Sequence, residues 1–149
     1  MTYIESLLSL VIDTSLGVWL GEIVFFSFVA APRIFGELER DRAGDVVNSI
    51  FPAYYFIGVV LGSVTVVSSV ALGVVDGFST PLILVVGAGG VGGVLNLYAR
   101  QVLIPKIKGN DKSREDPDTD AFERYHSLSV KLNGVVLVAV GVGLVASHL

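Results

Sequence analysis

The residue with the strongest claim to chemistry is Glu22, an acid set within an apolar run that covers residues 7–31. An ionised side chain at the middle of a bilayer costs about 2.5–3.5 kcal/mol on insertion, and Glu22 lies roughly 15 Å of helix away from Pro32. It must therefore face protein or water. At about 100° per residue, Ser15, Glu22, Phe26 and Val29 share one helix face. Asp13 falls about 180° away and reads as a boundary residue, not a partner. Two more polar stripes follow the same periodicity: Asn96 and Arg100 continue the face of Gly89 and Gly93, and His126, Ser129 and Asn133 recur at i, i+3 and i+7. Arg33 and the Tyr54-Tyr55 pair sit at the same level, the tyrosines where amphipathic rings favour the membrane interface. Glu22, Asn96, Arg100, His126, Ser129 and Asn133 thus form a candidate polar cavity for a small solute or ion, with Arg33, Tyr54 and Tyr55 at its interface. The plainer alternative is a non-catalytic structural or partner-binding protein. In that reading Asn and Ser hold helices together at about 0.6–2 kcal/mol per bond, and Arg100 and Lys131 reach out to lipid phosphates.

Other chemistries fit poorly. His126 and His148 on one helix stand about 33 Å apart and cannot share an ion or a haem. A copper path favours Met and Cys, and the chain has one Met and no Cys, so neither a metal nor a cofactor is expected. No nucleophile, base and orienter converge, which argues against an enzyme. The net charge of −4 is spread over loops of mixed sign, without the basic face that nucleic acid requires. Gly87, Gly89 and Gly92 spell G-x-G-x-x-G after an apolar run, but a dinucleotide site needs βαβ repeats that this sequence does not offer. No nucleotide is expected. Gly89 with Gly93, Gly58 with Gly62, and Gly17 with Gly21 read instead as small-xxx-small contacts for close helix packing.

Positioning these residues falls to membrane helices. A chain of 149 residues that is 52% hydrophobic and 16% charged, with mean hydropathy +0.73, lies outside the soluble range. A bilayer core of about 30 Å needs roughly 20 helical residues, and the spans fall near 7–31, 54–75, 81–104 and 121–149. Val29-Ala30-Ala31 resembles a signal-peptidase site, but the start lacks a positive charge, the apolar run is too long and Pro32 follows. Pro32 is expected to end the first span, a short interfacial helix to fill the gap before Phe51, and Pro105 to stop the third helix at Ile104. The turn from Asp76 to Pro81 makes a hairpin, a mobile loop is expected over 106–120, and Asp120 with Glu123 reads as a capping box. All ten Lys and Arg lie in and around two of the hydrophilic gaps, Arg100, Arg124 and Lys131 on cytoplasmic extensions of the spans, and by the positive-inside rule both gaps are cytoplasmic. The expected fold is all-α: a single domain forming a four-helix transmembrane bundle in the cell membrane, both termini outside, helix four extended into the cytoplasm. Its partner is the lipid bilayer, with surplus Gly-xxx-Gly faces for a homo-oligomer. Activity belongs to the cytoplasmic half, and the outer half reads as packing.

Phe25-Phe26-Ser27-Phe28-Val29-Ala30-Ala31-Pro32-Arg33-Ile34-Phe35, Ala43-Gly44, Phe51-Pro52-Ala53-Tyr54-Tyr55 and Phe122-Glu123-Arg124-Tyr125-His126-Ser127-Leu128-Ser129 with Asn133 resemble, in order and spacing, the transmembrane protein 205-like family. The resemblance covers most of the chain. It implies four membrane spans and carries over no established chemistry.

Overall fold

A computed structural model describes residues 2–109 and 119–149, and every element among them is helical. Four helices are long and apolar enough to cross a bilayer: α1 (Tyr3–Glu37), α2 (Arg40–Asp76), α3 (Thr80–Gly109) and α4 (Thr119–Ala146). At most a third of each apolar window is buried inside the bundle, so the remaining apolar surface is left for lipid. The chain is a multi-pass integral membrane protein.

Local signals set the helix ends. Thr2 and Glu5 form a reciprocal capping box at the start of α1, satisfying amide groups that have no partner inside the helix. Gly77, with φ of +95°, breaks α2 in a region only glycine enters readily. Ser79 then caps α3 by accepting from the Leu82 amide, just ahead of Pro81. The hairpin between α2 and α3 is therefore short.

The prolines do not end their helices as the sequence leads one to expect. α1 runs past Pro32 to Glu37, and α3 runs past Pro105 to Gly109. In each case a five-residue π turn lies just upstream, over Phe26–Ala30 and Ala99–Leu103. The Ala31 amide bonds Phe26 O, and the Ile104 amide bonds Ala99 O, five residues back in both. A proline ring collides with the carbonyl four residues before it; the wider turn accommodates the ring and lets the helix continue. The separate interfacial helix is also absent, since α2 is one helix of 37 residues with Pro52 inside it. At about 1.5 Å per residue, α2 exceeds the bilayer core by several turns. The expected loop over 106–120 narrows accordingly, and its remainder, 110–118, lies outside the described residues.

The helices pack in chain order, α1 on α2, α2 on α3, α3 on α4, with α4 returning to α1. Gly62 brings the α2 and α3 backbones together: a Cβ there would lie 2.8 Å from Gly89 O and 2.9 Å from Gly93 Cα. The indole of Trp19 crosses from α1 into the space left by Gly62 and Gly92. Leu16, Ile23, Val85 and Val140 complete this central layer. Among the described residues nothing packs against Gly17 or Gly21; a Cβ on either would meet nothing within 4 Å. Among the described residues every Lys and Arg lies toward one end of the bundle, here termed the basic end.

Candidate functional site

Toward the basic end, α1, α2 and α4 enclose a cavity of about 200 Å³. Its walls are Phe26, Ser27, Ala31 and Phe35 from α1, Val47, Phe51, Tyr54 and Tyr55 from α2, and His126, Ser129, Val130 and Asn133 from α4. The gap exists because α1, beyond Phe25, makes no close backbone approach to α4 among the described residues. The two helices part there, and side chains fill only some of the space.

Four rings line the α1 and α2 side in a closed circuit. Their centroid separations are 5.8 Å for Phe26 with Phe51, 5.7 Å for Phe51 with Tyr55, 5.2 Å for Tyr54 with Tyr55 and 5.0 Å for Phe26 with Tyr54. These spacings are those of tilted and edge-on aromatic pairs. Burying the two tyrosines obliges their hydroxyls to find partners. Tyr54 donates to Asn133 Oδ1 at 2.7 Å, and Asn133 Nδ2 donates to Ser27 Oγ at 3.1 Å, so one hydrogen-bond chain ties three helices. Ser129 donates to the His126 carbonyl at 2.7 Å and lies within reach of Tyr55.

Glu22 stands one helical turn before Phe26, close enough to Tyr54 to interact electrostatically. It is half-buried, and its Oε2 is buried without a hydrogen-bond partner among the described residues. Ser69 Oγ in α2 is in the same condition, deeper in the bundle. An unmatched buried polar atom costs about 1–3 kcal/mol. At Glu22 the unpaired oxygen belongs to an acid beside a cavity.

The residues expected to share one site separate into two groups. His126, Ser129 and Asn133 form the α4 wall, and Glu22 lies outside the lining, one helical turn before Phe26 on α1. Asn96 is buried elsewhere, between α2 and α3, where Nδ2 donates to Gly92 O at 2.8 Å and its amide occupies the space left by Gly58. Arg100 is exposed, donating through Nε to Pro52 O at 3.3 Å and lying 5.0 Å over the Phe56 ring. Arg33 is exposed. Tyr54 and Tyr55 are not interfacial anchors: they are 5% and 3% exposed and turn inward. The physical reason is that α2 extends beyond them to Arg40, so they are not at the end of a span. Ser27, Phe26 and Phe51 belong to the site and were not singled out for it by pattern, although Phe26 shares the Glu22 face.

The opposite end is more than packing. A second cavity, of about 360 Å³, opens there between all four helices, lined among others by Ser9, Asp13, Asp76, Ser79 and Ser147. Ser147 donates to Asp13 Oδ1 at 2.7 Å, and His148 Nε2 lies 3.9 Å from Asp13 Oδ2. Among the described residues no three His, Asp or Glu side chains converge as metal ligands.

Residues 14–116 match the pattern of a domain of unknown function, DUF4149. The chain is also 32% identical over 123 residues to an uncharacterised protein of Aquifex aeolicus (strain VF5), covering 83% of each chain. No solved structure matches it.

Proposed function

Since the chain belongs to the DUF4149 family, a domain of unknown function, its activity has to be argued from its own residues, and we propose that it binds a small solute in the basic-end cavity and carries or senses it at the membrane. The observation that carries this reading is a cavity walled jointly by four aromatic rings and the Tyr54–Asn133–Ser27 hydrogen-bond chain. Apolar walls with a few placed polar groups are what small-molecule sites use. The positive-inside rule orients this end toward the cytoplasm of the cell membrane, termini outward. We also place the chain near the transmembrane protein 205-like group. The segments that carry that resemblance supply every lining residue except Val47 and Val130, which supports a role for the cavity itself.

One observation favours a purely structural or partner-binding protein: Asn96 and Arg100 spend their hydrogen bonds within the chain. A second copy would find its closest backbone approach on the α1 face that carries Gly17 and Gly21. The experiment that separates the readings fills the cavity. Protein in lipid nanodiscs is tested by saturation-transfer NMR with indole, benzyl alcohol, benzylamine and benzoate, beside the variant Ala31→Phe. We expect at least one solute to receive saturation from the parent protein and not from Ala31→Phe, with helicity unchanged. Equal signals from both proteins for every solute would remove the cavity from consideration.

A further inference from the structure

We propose that the occupant of this cavity is a lipophilic organic cation, a single-ring or short-chain ammonium compound that enters sideways from the basic-side leaflet. The inference rests on the cavity reading above and adds its substrate class and route. Three features of the site support it.

The first is the ring circuit of Phe26, Phe51, Tyr55 and Tyr54, all four lining the space. Ring faces carry negative potential, and several rings around one space make an aromatic cage for ammonium groups. The second is charge. Among the described residues no Lys, Arg, Asp or Glu lines the cavity, and Glu22, one helical turn from Phe26 and close enough to Tyr54 to interact electrostatically, holds Oε2 buried without a hydrogen-bond partner. A bound cation would give that acid an ionic partner, which it does not have among the described residues. An anionic ligand would meet both the acid and the ring faces, and a neutral apolar one would leave Oε2 as it stands. The third is access. The flank between α1 and α4 carries Ala31, Phe35 and Val130; Phe35 and Val130 are exposed apolar side chains, the surface a bilayer would cover. At about 200 Å³ the space falls below the roughly 300–1,000 Å³ of drug-sized pockets, which limits the ligand to about one ring.

The test measures binding of three probes of similar size to the whole protein in nanodiscs by titration calorimetry: phenyltrimethylammonium, its neutral isostere tert-butylbenzene, and benzoate. We expect the cation to bind about ten-fold tighter than the isostere, the scale set by cation–π contacts and a nearby acid. Glu22→Gln keeps the shape, and Phe26→Leu removes one ring; each is expected to weaken the cation several-fold more than it weakens tert-butylbenzene. If tert-butylbenzene or benzoate binds as well as the cation, or neither variant affects the cation, the cation assignment is overturned and the cavity reading survives. If none of the three binds, the cavity reading falls and this assignment with it.

Discussion

At Gly62 the backbones of α2 and α3 touch, and a single added carbon would reach Gly89 O at 2.8 Å. Gly89 O and Gly93 Cα, the two nearest atoms, cannot yield because both are main chain. Gly62→Ala should therefore cost about 1–3 kcal/mol, the usual range for overpacking. Gly17→Ala and Gly21→Ala offer the contrast, since the same addition meets open space and relieves the glycine penalty of a helix interior, about 0.5–1 kcal/mol. Unfolding in mixed micelles with rising dodecyl sulfate should show Gly62→Ala clearly weakened and the α1 variants level with the parent or slightly stronger. Equal losses at all three sites would refute the packing assigned to these glycines. The polar residues show a comparable limit of legibility. Helical arithmetic identifies that His126, Ser129 and Asn133 share a face, and they line one wall. It does not say which helix a face will meet, and for that reason Asn96 turns to Gly58 while the cavity forms elsewhere.

Element boundaries were the least legible feature, and the cause is local. Apolar length and the turn at Gly77 reveal four helices and their order, because a bilayer leaves a backbone few alternatives. The prolines mislead. Pro32 and Pro105 would stop ordinary helices, but a π turn precedes each at the same spacing, and nothing in residue type announces a shift from four-residue to five-residue hydrogen bonding. The consequence reaches the site. The π turn over Phe26–Ala30 holds Ser27, a member of the Tyr54–Asn133 chain, and that over Ala99–Leu103 holds Arg100, which faces outward instead of continuing the Asn96 face. π turns recur at functional sites because they re-aim side chains. Here one of them supplies a wall of the cavity.

For the molecule as a whole, the ten-to-none partition of Lys and Arg makes orientation testable. Single cysteines replacing Gly77 and Gly109, treated in intact cells with a membrane-impermeant maleimide, should label at Gly77 only. Labelling at Gly109 alone would reverse the bundle. The larger cavity beside Asp13 and Asp76 makes the location of any bound cation the sharper question, since acids at that end offer a competing home. The most direct measurement is crystallographic: protein grown in lipidic mesophase with 4-bromobenzylamine, the bromine located by anomalous scattering. A bromine peak is expected between α1 and α4 among Phe26, Phe51, Tyr54 and Tyr55, lost in Ala31→Phe. A peak confined to the cavity of Asp13 and Asp76, or no peak in the protein at all, would contradict that placement.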